Sequence, residues 1–290
     1  MADADKIAQW QGAAAERRQP GEIEKHLAGV TRVILGGPMD IQFGPLWDAA
    51  KQSRAFKQDF AEAHFKYTDG HGRVHVIKGA EVGEELFRDI TLKHTQLYVL
   101  NILLKQLLDQ FHQQYAATRK LGADGAVQVE MGFLPPQFQL YIESFLHSMK
   151  ATLELYAIFT QFMFPLTTQG LPEVMDDQIK FFCKDSGKKL DPGYAKYLSE
   201  KMTWFIRFKD LRDSVSHFGS ILLQAEEANG KINLSFYPRR SHILENRVPY
   251  SEIEQWIVGF ADFCVFYRTH FLGKLKNSES NHSLDRPAAR

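Results

Sequence analysis

The sequence has few cysteines, no long apolar run and no excess of one charge. Its two cysteines, Cys183 and Cys264, occur among 290 residues, and their spacing fits neither a metal-binding pair nor a disulfide framework. So few cysteines are typical of a reducing compartment, and we therefore predict a cytoplasmic protein. Residues 1–20 contain no continuous apolar stretch, so we expect no secretory signal there.

The distribution of apolar and charged residues excludes two further classes. The longest apolar run, Leu153 to Leu166, contains Glu154 and is too short to span a bilayer, so we expect no membrane association. The 35 Lys and Arg residues equal the 35 Asp and Glu residues in number. Because no overall field would recruit nucleic acid, any nucleic-acid site must be local.

The motifs of common cofactors are missing from the sequence. It has no Walker loop, no glycine motif for dinucleotides and no nucleophile elbow of a serine hydrolase. His64, His71 and His75 are close in sequence, but no cysteine accompanies them and no His-Glu-x-x-His pattern is present. We therefore predict neither a cofactor nor a metal site.

Apolar residues recur at helical spacing in four long stretches, which predicts a mainly α fold. These predicted bundle helices run from 83 to 118, 135 to 164, 194 to 214 and 251 to 274. A short helix is expected at 173–182 and a loop at 184–193. Asp69-Gly70 and Asn229-Gly230 each lie between alternating segments and predict β-hairpins.

These elements divide the chain into three predicted parts. Residues 1–82 form an N-terminal extension with a helix and the first hairpin. Residues 83–275 form the helical bundle, with the second hairpin inserted before the last helix. Residues 276–290 are polar and lack a period, so we expect a disordered tail.

A segment that could carry chemistry follows the third helical stretch. Arg212 and His217 are five residues apart, which on an unbroken helix places them about 140° apart, so they converge only if the helix ends between them. Gly219 is a typical helix terminator, and we expect an end there. A forked permanent cation and a side chain that titrates near neutrality together suit phosphodiester chemistry.

This segment resembles the motif of the HEPN domains, in which an arginine, a polar neighbour, a few variable residues and a histidine follow one another. Arg212, Asp213 and His217 fit that order. The resemblance implies a HEPN-like four-helix bundle, here with inserted β-hairpins and an N-terminal extension. The hairpin after the motif is longer than compact members of the family need.

The resemblance also implies RNA cleavage by residues that face their counterparts across a dimer interface. His217 would act as general base on a ribose 2′-hydroxyl, and a partner group would protonate the leaving 5′-oxygen. Arg212 would stabilise charge on the phosphate oxygens, and Asp213 would orient Arg212 or His217. The products would carry 2′,3′-cyclic phosphate ends.

A polar row on the second bundle helix is a further candidate. Glu143, His147, Lys150 and Glu154 follow one another at steps of four, three and four, so they share one face. We expect this row to face water, with an ion pair between Lys150 and Glu154. If the row turns toward the motif instead, Glu143 and His147 become candidates for substrate contact.

Three arginines lie beyond the second hairpin. Arg239, Arg240 and Arg247 could hold phosphate groups, although each also fits an ordinary solvated surface. Arg212 has a structural alternative too, namely an ion pair with a nearby carboxylate such as Asp213.

The leading hypothesis is a metal-independent endoribonuclease of toxin or defence type, which acts as a homodimer and is restrained by a neutralising partner protein. The alternative is a non-catalytic HEPN-like module that binds a partner protein or a nucleotide and keeps the motif as a structural clamp. A third reading is an unrelated helical scaffold in which the motif occurs by chance. Catalysis requires Arg212 and His217 to be exposed in one cleft, whereas a clamp would have them buried and paired.

Overall fold

The computed structural model describes the chain over nine ranges: 39–53, 56–68, 72–121, 127–132, 134–164, 171–218, 221–228, 231–238 and 247–283. Within these ranges the fold is mainly α, as predicted. The α-helices are α1 (Met39–Gln52), α2 (Gly79–Thr118), α3 (Leu134–Thr160), α4 (Met175–Cys183), α5 (Asp185–Leu190), α6 (Pro192–Lys201), α7 (Phe205–Phe218) and α8 (Tyr250–Ser283). A π-helical turn, Phe56–Phe60, follows α1, and a 3-10 turn, Gln161–Met163, follows α3.

The strands of the described ranges form small antiparallel sheets. Strands β1 (His64–Thr68) and β2 (Val74–Lys78) pair as a hairpin, as do the two-residue strands β3 (Lys120–Leu121) and β4 (Val127–Gln128). The third sheet has the order β5-β6-β7, with β5 at Ile221–Ala228, β6 at Lys231–Pro238 and β7 at Val248–Pro249. The strand pairing of both predicted hairpins is therefore confirmed, whereas Asp69-Gly70 and Asn229-Gly230 lie outside the described ranges.

The third bundle helix was predicted as one continuous element, and this prediction is wrong. The chain forms α6, turns at residues 202–204 and then forms α7. Met202, the first residue of this turn, and Phe205, just after it, are both buried, so the apolar spacing continues across the turn. Neither proline nor glycine marks it, and the sequence pattern therefore missed it.

The loop predicted at 184–193 is also wrong, because most of it is helical. Helix α5 occupies Asp185–Leu190, and α6 begins at Pro192 with the side chain of Asp191 as its cap. A Cβ at Gly187 would lie only 2.4 Å from the Cα of Phe182. Gly187 therefore permits close packing of α5 on the end of α4 and does not mark a loop.

The core of the described ranges contains residues from both ends of the chain. Tyr156 on α3 lies at its centre, with ring centroids of Phe43 on α1, Phe263 on α8 and Tyr267 on α8 at 5.6, 5.4 and 4.7 Å. The hydroxyl of Tyr156 lies 3.1 Å from Nε2 of His94 on α2, and burial lowers the pKa of His94 to about 3. Helix α1, from the predicted N-terminal extension, therefore packs on the bundle helices.

Helix α8 continues to Ser283, beyond the predicted bundle limit at 275. The remainder of the predicted tail, 284–290, lies outside the described ranges. No helix within the described part of the chain has the length and hydropathy that a membrane span requires.

Candidate functional site

Helix α7 carries the whole motif without interruption. It begins at Phe205 and ends at Phe218, one residue before the predicted terminator Gly219. The helix does not end between Arg212 and His217, so the condition for their convergence within one chain is not met. Five residues of regular helix place the two side chains about 140° apart around the axis. One copy of the chain therefore presents them on different sides of α7.

The two sides of α7 differ in their surroundings. His217 and Ile206 are both exposed. They are eleven residues apart, which is about three helical turns, so they share one side of α7, called here the outer side. Arg212 shares the other side with Lys209, three residues earlier, and both are only partly exposed. This second side is the one that meets α3.

The polar row of α3 turns toward α7, so the prediction that it faces water is wrong for most of its length. Near one end, Oε1 of Glu143 accepts a hydrogen bond at 3.0 Å from the backbone N–H of Ile221, just beyond α7. At the other end, Nζ of Lys150 lies 5.4 Å from the ring centroid of Phe205, the first residue of α7. The two helices therefore run antiparallel, and His147 lies between these contacts, opposite the middle of α7.

Polar contacts link α3 to α4 and α4 to α7. Lys150 is buried and pairs with Glu154, as predicted, and Oε2 of Glu154 accepts a hydrogen bond at 2.7 Å from the backbone N–H of Met175 at the start of α4. Asp176, also on α4, accepts a hydrogen bond at 2.9 Å from Nζ of Lys209 on α7. The polar cluster, as named here, consists of Glu143, His147, Lys150, Glu154, Asp176, Lys209, Arg212 and Asp213.

Arg212 has donor groups that the fold leaves unused. Its Nη1 donates to Oδ1 of Asp213 at 2.8 Å. Its Nε–H is buried and has no hydrogen-bond partner within the described part of the chain. Adjacent residues on a helix do not face each other, so the pair with Asp213 connects no two elements of the fold.

The charge of Arg212 acts on two basic side chains across the interface between the helices. Partial burial and then the nearby positive charge of Arg212 lower the pKa of His147, while Glu143 acts in the opposite direction. Burial and then Arg212 also lower the pKa of Lys150, against the opposing field of Asp213. Arg212 thus disfavours the charged forms of His147 and Lys150, while Asp213 beside it and Asp176 on α4 contribute negative charge to the same cluster.

Other predicted contact residues have different surroundings. Arg239 and Arg240 lie outside the described ranges. Arg247 binds the β5-β6 hairpin through its whole guanidinium. Its Nε donates to Oγ of Ser235 at 2.8 Å, and its two terminal nitrogens donate to the carboxylate of Glu226. The carboxylate of Glu143 binds Ile221 and also accepts from Gln139, so its observed role is to anchor the chain after the motif.

Two members of the polar cluster were not predicted. Lys209 lies three residues before Arg212, and that spacing alone could have placed it on the same side of α7. Asp176 carries no such signal, since it reaches the cluster only because α4 packs between α3 and α6. Surface cavities of about 250 and 390 Å³ lie elsewhere, one beneath the β5-β6 hairpin and one beside α1.

No family model, curated protein or solved structure matches the chain. The HEPN resemblance therefore stays a prediction based on Arg212, Asp213 and His217. Within the described ranges, no three His, Cys, Asp or Glu side chains lie together in a way that could hold a metal ion.

Proposed function

We propose that the protein is a metal-independent endoribonuclease of HEPN type that acts as a homodimer. The observation that supports this most is the setting of Arg212, which is half-buried between α3 and α7 with a buried Nε–H that lacks a partner. The rest of the guanidinium is partly exposed, and its terminal N–H groups are suited to the oxygens of a phosphodiester.

The polar cluster carries charges of both signs, and its basic side chains are the groups that an anionic substrate would contact. Burial and then the charge of Arg212 lower the pKa of both His147 and Lys150, so Arg212 repels each of these groups when it is charged. The nearby carboxylates of Glu143 and Glu154 are held by backbone N–H groups of Ile221 and Met175. A phosphate group at Arg212 would leave these two contacts in place and would compete with the carboxylate of Asp213 for the guanidinium.

In the proposed reaction, His217 accepts the proton of a ribose 2′-hydroxyl and the 2′-oxygen attacks the adjacent phosphorus. Arg212 stabilises the negative charge that develops on the phosphate oxygens. The bond from phosphorus to the 5′-oxygen breaks, which leaves a 2′,3′-cyclic phosphate and a 5′-hydroxyl end.

A dimer would supply what one copy lacks. Arg212 and His217 leave an unbroken α7 on different sides, so Arg212 of one copy and His217 of a second copy would complete one site. The outer side of α7, with His217 and the exposed Ile206, would lie at the contact. A neutralising protein of a toxin or defence system would act by covering the same surface.

The test is RNA cleavage by purified protein in EDTA, with analysis of the product ends. Wild type should release 2′,3′-cyclic phosphate ends, and His217→Ala should lower the rate by about 100-fold or more. His112→Ala is the matched control, because His112 is an exposed histidine on α2, outside the polar cluster. Equal loss in both variants, or cleavage that His217→Ala does not change, would remove His217 from the mechanism.

A non-catalytic HEPN-like module is the second candidate function, and two observations favour it. Arg212 is paired with Asp213, and α7 is unbroken through the motif. This candidate predicts that wild type leaves RNA intact in the same assay. It also predicts a binding partner, protein or nucleotide, whose affinity falls in Arg212→Ala.

A further inference from the structure

His147 occupies a defined position in the polar cluster. On α3 it lies one turn after Glu143 and one turn before Lys150, whose contacts with Ile221 and Phe205 define the two ends of the interface with α7. Arg212 lies at the middle of that interface. His147 is itself exposed, so its imidazole is accessible to a substrate that binds Arg212.

The charged groups around His147 come from each element that packs on this part of α3. Arg212 on α7 and Glu143 on α3 act on His147 directly and in opposite directions. Asp176 on α4 and Lys209 and Asp213 on α7 act on Lys150, one turn away. From β5, the contribution is the backbone N–H of Ile221, which is bound to Glu143.

We propose that His147 is the group that protonates the leaving 5′-oxygen when RNA is cleaved at Arg212. This inference rests on the proposed ribonuclease function and supplies the acid that the reaction needs beside the base His217. It requires His147 to belong to the same copy as Arg212, which the packing of α3 on α7 provides.

The step balances without a further reactant. The 2′-hydroxyl gives its proton to the imidazole of His217, and the 2′-oxygen forms a bond to phosphorus. As the bond from phosphorus to the 5′-oxygen breaks, the imidazolium of His147 gives its proton to that oxygen. His217 ends protonated and His147 neutral, and a proton exchange with water restores both.

Substrate binding would load His147 with its proton. In the free protein the charge of Arg212 disfavours the imidazolium form. A phosphodiester bound at Arg212 adds a negative charge beside His147, which favours that form. Binding should therefore be accompanied by proton uptake at pH 7.

The test compares two RNA substrates that differ in one atom. In the first the scissile linkage is natural, and in the second a sulfur replaces the 5′-oxygen, because a thiolate leaves without being protonated. His147→Ala should lower the cleavage rate of the natural RNA by about 100-fold and should cleave the sulfur-substituted RNA nearly as fast as wild type. His217→Ala should be slow on both substrates, and His112→Ala should be normal on both.

A second measurement separates failure of this inference from failure of the proposed function. The titration of His147 is followed by NMR with and without a short oligodeoxynucleotide, which lacks the 2′-hydroxyl and so is not cleaved. We expect the oligonucleotide to raise the pKa of His147.

Each outcome decides between the two proposals. If wild type cleaves RNA but sulfur does not rescue His147→Ala, His147 is not the acid and the ribonuclease function stands. If wild type cleaves neither RNA, both proposed catalytic roles are wrong. A change in the His147 titration on addition of the oligonucleotide would then show that His147 only contacts the bound anion. An unchanged titration would exclude it from the site altogether.

Discussion

Two arginines of this protein are nearly equally exposed but differ in how many of their donors have hydrogen-bond partners. The side chain of Arg212 is 28% exposed and that of Arg247 is 30% exposed. Arg247 donates through all three nitrogens of its guanidinium, to Ser235 on β6 and to Glu226 on β5. Arg212 donates to the adjacent Asp213 and keeps a buried Nε–H that has no partner in the described part of the chain.

The difference distinguishes a structural arginine from a candidate functional one. Arg247 joins the two paired strands β5 and β6, so its charge contributes to the hairpin. Arg212 joins no two elements, and its charge opposes those of Lys150 and His147. A buried donor without a partner costs about 1–3 kcal/mol, so the Nε–H of Arg212 calls for an explanation, and a functional role would supply one.

The largest effect is expected at Arg212, on catalysis. Arg212→Ala should lower the rate of RNA cleavage by about 100- to 1,000-fold, because the developing phosphate charge loses its donor. Its free energy of unfolding should not fall by more than about 0.5 kcal/mol, because the substitution removes a partly exposed ion pair together with a buried donor that has no partner. The measurements are single-turnover cleavage and urea unfolding, and a large loss of stability would show that Arg212 is a clamp after all.

The next effect is expected at Arg247, on stability. Arg247→Ala should lower the free energy of unfolding by about 1–2 kcal/mol, because it removes charge-assisted hydrogen bonds whose partial exposure reduces their value. Under conditions where it is folded, cleavage per molecule should match wild type. Urea unfolding measures the stability, and the RNA assay measures the cleavage rate. An Arg247→Ala variant that is as stable as wild type but inactive would contradict the structural role of Arg247.

A smaller effect is expected in the titration of His147. Removal of Arg212 removes a positive charge that disfavours the imidazolium, so Arg212→Ala should raise the pKa of His147 toward its ordinary value. Arg247→Ala should leave that pKa unchanged. NMR titration of the His147 ring protons measures both pKa values. Equal pKa changes in the two variants would contradict the placement of Arg212 beside His147.

The smallest effect is expected at Asp213. Because the pair with Arg212 is partly exposed and lies between adjacent residues, Asp213→Asn should change the free energy of unfolding by less than about 0.5 kcal/mol. Urea unfolding against wild type measures the difference. A loss of several times that amount would mean that the Arg212–Asp213 pair supports the fold.

Local sequence patterns predicted the helices better than the connections between them. The second predicted bundle helix, 135–164, corresponds to α3 at Leu134–Thr160, since apolar residues at helical spacing need only their own neighbours to specify a helix. The turn between α6 and α7 was missed because residues 202–204 include neither proline nor glycine and the apolar spacing, with Met202 and Phe205 both buried, continues across it. Gly187 was misread because a glycine needed for close packing looks like a loop glycine in the sequence.

The candidate site could be predicted only in part for a related reason. Helical spacing identified Glu143, His147, Lys150 and Glu154 as one row, but a periodic pattern does not specify which neighbour a polar row will face. The packing of α3 on α7 decided this, and it brought His147 opposite Arg212. Asp176 lies in the polar cluster because α4 packs against these helices, and a contact between residues so far apart in sequence cannot be predicted from local spacing.

The most direct test of the contrast between the arginines is to observe both guanidinium groups while a phosphodiester binds. The measurement is the NMR signal of each arginine Nε–H during titration with a short oligodeoxynucleotide. We predict that the Arg212 signal shifts in a saturable manner, whereas the Arg247 signal stays in place because its donors are already bound. A stationary Arg212 signal, or equal shifts of the two, would contradict the assignment of Arg212 as the phosphate-binding arginine.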